Sequence, residues 1–357
     1  MGGTADQNSG AGPVRSAHVF DVESLQKYCA ANVPEITGKI EVQQFKGGQS
    51  NPTYLLHAGG KRYVLRRKPP GTLLPSAHAV DREYRIMHAL HGTDVPVPRM
   101  LCLCEDAAIL GTPFYIMECI DGRVLWDADL PGMTPDQRRA HYRELNRAIA
   151  ALHSVNPAQV GLAEFGKPGN YVERQIARWI KQYRAAETER IEAMENLIEW
   201  LPKNIPQNTT NALTHGDYRF DNVIFHPAEP RILAIIDWEL STLGDPIADF
   251  VYHCMSYRMP GSPIEKMGDD EKKSLGIPTE SEYRRMYCEF TGRSEVPHFD
   301  FYMAFGMFRL VGILQGIVKR YLDGNASSAN AAESGKRTRP VAEAGWQQAL
   351  RVINGSR

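Results

Sequence analysis

The 357-residue chain carries only six cysteines, and no two of them stand at a spacing that zinc or a redox dithiol uses. Cys102 and Cys104 are one residue too close for a C-x-x-C pair, while Cys29, Cys119, Cys254 and Cys288 are scattered through apolar or strand-like stretches. The cysteines therefore read as reduced packing residues rather than as a metal or disulfide framework. Excess charge is missing too. With 41 Lys and Arg against 42 Asp and Glu the formal net charge is −1, which gives no general attraction to nucleic acid. No apolar run reaches membrane-spanning length and no basic leader enters an apolar core, which points to a cytoplasmic protein without membrane insertion. No internal repeat is evident, and the oligomeric state is left open.

What the chain does have is 43% hydrophobic residues, enough for a large core divided between two lobes. Residues 1–17, rich in Gly, Ser and Ala, read as a flexible lead. Residues 18–118 read as an N-terminal lobe and 119–357 as a helical C-terminal lobe. In the first, residues 40–45, 53–57, 61–67 and 114–117 have strand character and residues 80–90 helical character. In the second, residues 135–153 and 171–200 read as long helices, 247–255 as a helix opened by Pro246, and 299–321 as an apolar helix. A Ser-, Ala- and Gly-rich excursion over 322–340 precedes a final helix from about Ala342.

Several residues carry possible chemistry. Gly47-Gly48-Gln49-Ser50-Asn51 is a turn whose glycines let backbone amides approach an anion, although alone it reads as a hairpin turn. Arg66 lies on one face of the 61–67 strand, and Glu83 near the start of the next helix is placed to pair with it. Met117, Glu118 and Ile120 fall where a strand leaves for the second lobe, a position from which backbone groups can read a purine edge. His215-Gly216-Asp217-Tyr218-Arg219-Phe220-Asp221-Asn222 then offers Asp217 as a base in a polar loop and Asn222 as a neutral oxygen ligand. Asp237, delivered by the apolar run 233–236, offers an anionic oxygen ligand of the kind Mg2+ prefers. His215 reads as loop support, since nothing around it has zinc-like spacing.

HGDYRFDNVIF followed by IIDWELSTLGDPIADF resembles the catalytic and metal segments of the aminoglycoside phosphotransferase and choline kinase superfamily, which is related to the protein kinases. The resemblance runs through almost the whole chain from about His18. It implies a two-lobed, protein-kinase-like α+β fold that uses ATP and Mg2+ to phosphorylate a hydroxyl. It further implies Asp217 as the catalytic aspartate, Asn222 and Asp237 as magnesium ligands, and residues 47–51 as the nucleotide loop. Glu83 becomes the helix glutamate that pairs with the strand's basic residue, and Asp245 and Asp249 become supports of the second lobe.

The chain departs from the pattern at Arg66, where the superfamily usually has lysine. A planar guanidinium places its donors differently from an ammonium, and Arg67 or Lys68 would compensate if the register slipped. The chain also lacks the G-x-G-x-x-G, HRD and DFG motifs of protein kinases, which argues against a protein substrate. FKGGQSNPTY and YVLRRKPP resemble a branch found in bacteria and fused ahead of acyl-CoA dehydrogenases in some eukaryotic proteins. That branch implies a small-molecule acceptor such as a hydroxyacyl-CoA. Arg258, Arg284, Arg285, Arg309, Lys319 and Arg320 weigh against a polycationic aminoglycoside acceptor if they converge. An antibiotic kinase and a catalytically weak nucleotide-binding scaffold stand as the alternatives.

Overall fold

The structure, a computed structural model, describes residues 10–46, 51–70, 78–167, 169–207, 210–323 and 331–355. They form two units. The first takes the described residues up to Asp127 together with Val160–Leu162 and Phe220–Ser241. The second comprises Ala128–Gln159, Ala163–Arg219 and the chain from Thr242 onward. The first unit thus runs beyond the boundary expected at 118 and recovers a later segment, because Phe225 and Arg123 exchange backbone hydrogen bonds of 2.7 and 2.8 Å.

The first unit is built on an antiparallel sheet of β1 (Ala11–Gly12), β2 (Glu41–Phe45), β3 (Thr53–Ala58), β4 (Lys61–Arg67), β5 (Met100–Cys104) and β6 (Phe114–Glu118), in the order β1-β2-β3-β4-β6-β5. Order starts inside the segment expected to be a flexible lead, since Ala11 pairs with Phe45 and the Arg15 amide donates to Gln44 Oε1 at 3.0 Å. Gly59 and Gly60 join β3 to β4 with φ of 57° and 74°, left-handed values that glycine takes without strain. A Cβ on Gly59 would stand 2.6 Å from Thr37 Oγ1, so this tight turn tolerates little else. The turn fixes the register that sets Arg66 opposite Thr53 on one side and Tyr115 on the other.

Two helices of eleven residues each pack with the sheet. Helix α1 (Val22–Asn32) starts at Asp21, whose carboxylate accepts from the Glu23 and Ser24 amides. Its Leu25 and Cys29 are buried with Tyr54, Leu56, Leu65, Phe114 and Ile116. Burial pushes the Cys29 thiol up to about 12, so it remains a protonated packing group. Helix α2 (Val80–Leu90) buries Val80, Ile86, Met87 and Leu90, and on the same buried side Glu83. A short antiparallel hairpin, Val223–Phe225 with Ile232–Ile235, carries Asn222 and Asp237 at its ends.

The second unit is mostly helical: α3 (Pro135–Ser154), α4 (Tyr171–Ala186), α5 (Glu192–Trp200), α6 (Pro246–His253), α7 (Glu280–Thr291), α8 (Phe299–Leu322) and α9 (Ala331–Gly355). A short antiparallel strand pair, Ala212–Thr214 with Thr242–Gly244, accompanies the helices. A capping box between Thr134 and Gln137 starts α3. Residues 171–200 form two helices rather than the single one expected. The first stops at Ala186, whose carbonyl accepts from Gln315 Nε2 of α8 at 3.1 Å, and the buried Ile191 interrupts the run.

Helix α9 begins at Ala331, earlier than expected, and runs through Pro340. It lies tightly on α8, where a Cβ on Gly345 would meet Met307 Cβ at 3.1 Å. Helix α8 itself corrects the expectation of no membrane-length run. It is long and apolar enough to cross a membrane by composition, with a mean hydropathy of 1.6, but 72% of that window is buried in protein. Its apolar surface is used in the core, against Trp179 at Gly312 and Met255 at Gly306.

Candidate active site

In the first unit, Arg66 is the centre of a buried polar network. Its side chain is 10% exposed, with Nε 3.1 Å from Glu83 Oε2, Nη2 2.8 Å from Asp237 Oδ1 and Glu239 Oε2 at 3.9 Å. The Nε contact is an ion pair without hydrogen-bond alignment. Desolvation alone would lower the pKa of Arg66, and Glu83, Tyr115, Asp237 and Glu239 outweigh it and raise it. Arg66 is a permanent cation here. The Glu83 carboxyl is likewise raised above its usual value, chiefly by burial, with Arg66 opposing.

Two further donors hold that carboxylate. Asn51 Nδ2 donates to Glu83 Oε1 at 2.8 Å and the Tyr115 hydroxyl to Oε2 at 3.1 Å. The Asn51 side chain therefore turns inward rather than toward a phosphate, and His78 Nδ1 meets its Oδ1 at 3.0 Å. Gly47, Gly48, Gln49 and Ser50 lie outside the described residues. The register does not slip: Arg67 is consumed by Tyr54 Oη, the Leu110 carbonyl and the His18 carbonyl, and among the described residues Lys68 reaches Asp81 at 4.0 Å.

At the strand exit, Met117 and Ile120 are half-buried. Glu118 is committed to its neighbour: its N–H donates to the Arg99 carbonyl at 3.0 Å and its carboxylate accepts the Arg99 amide at 2.7 Å. That N–H is thereby taken from the purine-edge role the sequence suggested.

The hairpin brings Asn222 and Asp237 together through its backbone, with the Ile236 amide donating to the Asn222 carbonyl at 2.9 Å. Asp237 sits at φ 65° and ψ 58°, a left-handed conformation that a non-glycine residue adopts at a cost. The buried Trp238 next to it anchors the turn by donating Nε1 to the Ile235 carbonyl at 2.9 Å. Strain held in this way points to function. One oxygen of Asp237 bonds Arg66 and the other has no hydrogen-bond partner among the described residues. An amide oxygen and a carboxylate, with no nitrogen or sulfur donor, fit Mg2+, which takes few protein ligands and fills the rest with water and phosphate oxygens. Among the described residues no cluster of three or more His, Cys, Asp or Glu forms a self-sufficient cage.

The sequence motif is divided between the units, because the chain leaves the second at Arg219 and enters the first at Phe220. Within the second unit, Asp217 sits on a turn gripped from several sides. Asp249 accepts the His215 and Gly216 amides at 2.8 Å each and His153 Nε2 at 3.1 Å. Burial pushes Asp249 up, but the hydrogen bond to His153 and the donated His215 amide outweigh it and hold the carboxyl below its usual range. His215 Nδ1 accepts the Asp217 amide at 3.2 Å. Asp245 caps α6 through the Ile247 amide at 2.9 Å and accepts the Tyr302 hydroxyl at 2.5 Å.

The sequence did not single out Asn51 as a strut for Glu83, nor Tyr115, nor His153, nor the Arg219–Asp217 pair at 3.4 Å. Only Arg219 had a local signal, its place two residues after Asp217. Of the basic residues of the second unit, Arg258 and Arg284 meet on one carboxylate, Glu280, and several of the charges are matched by nearby acids. Arg258 binds Glu280 and Asp300, Arg284 binds Glu280, Arg285 binds Glu289 and Lys319 binds Asp323. A cavity of about 460 Å³ opens on the Asp81, Tyr84, Arg85 and His88 face of α2, away from Glu83, and contains none of the expected site residues.

A family model described as the phosphotransferase enzyme family matches residues 41–284. The chain is 49% identical over 342 residues to acyl-CoA dehydrogenase family member 10 of Mus musculus, covering 95% of this chain and 32% of that protein. It therefore spans about a third of that relative's length. A crystal structure of a candidate aminoglycoside phosphotransferase from Ralstonia eutropha JMP134 is 52% identical, with a TM-score of 0.85, covering 93% of this chain and 99% of that one. A thermostable aminoglycoside phosphotransferase APH(4)-Ia mutant, crystallised with ADP and hygromycin B, has a TM-score of 0.59 at 18% identity, covering 90% and 99%. These likenesses show the protein-kinase-like α+β fold.

Proposed function

The chain belongs to the phosphotransferase enzyme family, and from that premise we propose that it transfers the γ-phosphoryl group of ATP to a hydroxyl of a small molecule, with Mg2+ as the metal. The observation that carries this reading is the network in which Arg66 is shared by Glu83 and Asp237. Basic residue, helix glutamate and strained aspartate are the parts that phosphoryl transfer needs to hold polyphosphate and metal. Asn222 and Asp237 would hold Mg2+, which when bound offsets negative charge on the phosphate oxygens. Arg66 directs fixed positive charge toward the nucleotide while Glu83 keeps the guanidinium in place. Asp217, on its braced turn, orients the acceptor hydroxyl and takes its proton on a carboxylate oxygen.

For the acceptor we propose a hydroxyacyl-CoA or a related carboxylic metabolite, supported by the mouse relative's name as an acyl-CoA dehydrogenase family member. The local ion pairs of Arg258, Arg284, Arg285 and Lys319 remove the charge argument against an aminoglycoside. The APH(4)-Ia structure with hygromycin B keeps the antibiotic-kinase reading as the second one. A mass-resolved assay with ATP and Mg2+ against hydroxyacyl-CoAs, small alcohols and aminoglycosides decides between them. Gain of one phosphate on a hydroxyacyl-CoA is the expected result. Gain on an aminoglycoside favours the second reading, and ATP binding with no phosphorylated product identifies a nucleotide-binding scaffold.

A further inference from the structure

Arg309 lies in the middle of α8, between the apolar Phe308 and Leu310, and is 7% exposed. Its guanidinium carbon stands 4.5 Å from the Tyr252 ring centroid and 5.6 Å from that of Trp179, so two rings hold it in place. It has no ion-pair partner among the described residues, and its Nε–H makes no hydrogen bond. An uncompensated buried guanidinium is a costly choice where a leucine or methionine would pack. Its one strong bond runs from Nη2 to the Gly216 carbonyl, at 2.6 Å.

That carbonyl belongs to the peptide group joining Gly216 to Asp217. The N–H of the same peptide group donates to His215 Nδ1 at 3.2 Å. Arg309 and His215 therefore fix both ends of one peptide plane, and Asp249 fixes the plane before it through the Gly216 amide. Gly216 itself has φ 85°, a conformation it could leave readily if released. The direction of the Asp217 side chain follows from these planes.

We propose that Arg309 is a positioning residue that aims the Asp217 carboxylate by gripping the Gly216 carbonyl. The proposal rests on the phosphotransfer reading for its consequence and on the hydrogen-bond geometry for its cause. The test compares Arg309→Met and Arg309→Lys with the wild-type full chain by hydrogen exchange and by turnover with ATP, Mg2+ and the acceptor found in the mass-resolved assay. Amide exchange across residues 215–219 is expected to rise about tenfold in R309M and less in R309K, with α8 exchange unchanged. Turnover is expected to show kcat down at least about tenfold in R309M, KM for ATP within about twofold, and partial recovery in R309K.

Unchanged exchange at 215–219 in both variants overturns the proposal. So does unchanged kcat in both when the wild type is active. If R309M does not fold, R309K alone decides by the same two readouts. If the wild type transfers phosphate to nothing, the phosphotransfer reading fails, and the exchange experiment still decides whether Arg309 holds the turn.

Discussion

Arg66 binds Glu83 and Asp237 at once, its Nε 3.1 Å from one carboxylate and its Nη2 2.8 Å from the other. A guanidinium can do this because its donors point in fixed, divergent directions within one plane, whereas an ammonium presents a single centre. Arginine at this strand position is thus a different device from the lysine usual in the superfamily. It leaves Asp237 Oδ1 engaged before any metal arrives.

Replacing Arg66 separates its charge from its shape. Arg66→Met leaves Glu83, 1% exposed, without a counterion, and breaking a buried pair in this way costs about 3–5 kcal/mol. Arg66→Lys keeps the charge but loses one of the two contacts, for a loss of about 1–2 kcal/mol. Urea unfolding of the two variants measures the difference. A Met variant as stable as the wild type would show that Glu83 does not depend on Arg66.

Asp217 and Asp237 should fail in different ways. Asp237→Asn weakens the site's oxygen donor without emptying a core position, since the Asp237 side chain is 34% exposed. The fold should survive, and calorimetry should show ATP affinity losing its dependence on Mg2+. Asp217→Asn should keep ATP affinity within about twofold while turnover falls about 100-fold or more. If both variants lost ATP binding equally, the assignment of separate metal and base roles would be wrong.

Asp249 offers a sharper structural test, because its two oxygens serve three donors: the His215 amide, the Gly216 amide and His153 Nε2. In Asp249→Asn an amide NH2 replaces one acceptor and faces a buried donor. The expected loss is about 2–4 kcal/mol of stability together with reduced turnover. Melting and activity should fall together, unlike the Arg309 variants, whose larger effect is on turnover.

Much of the fold was legible because it rests on local pattern. The strands around Arg66 and helix α2 announce themselves through alternation and helical composition. The segment from His215 to Asp237 stands out in the sequence because its polar residues are concentrated in a short stretch of chain. What stayed hidden depends on partners far away in sequence. Tyr115 faces Glu83 only through the β4–β6 register, and Gln315 ends α4 from a helix more than a hundred residues later. Whether basic residues converge is equally a tertiary question. Arg258 and Arg309 look alike in sequence, yet one is neutralised by Glu280 and Asp300 and the other grips the Gly216 carbonyl.

The acid limb of the stability curve should carry the signature of His253. Its Nδ1–H donates to the Tyr218 carbonyl at 3.1 Å and its Nε2 accepts the Tyr283 hydroxyl at 2.7 Å, which fits the neutral ring. Burial lowers its pKa from 6.5 to about 4, with the Tyr218 carbonyl and Asp249 pulling the other way. Between these values the unfolded chain binds a proton that the folded protein refuses. Stability is therefore full above about pH 6.5 and falls as the pH drops toward about 4, with no further loss from this group below that. The drop amounts to about 2 kcal/mol, allowing for the partial exposure of the residue. Asp249 acts in a lower window: its depressed pKa means its contribution is lost only on going below the ordinary value of 3.8. Urea unfolding at pH 7.5, 6.0, 5.0 and 4.5 should show the decline in the wild type and a flatter profile in His253→Gln. Equal slopes in the two proteins would place the titrating group elsewhere.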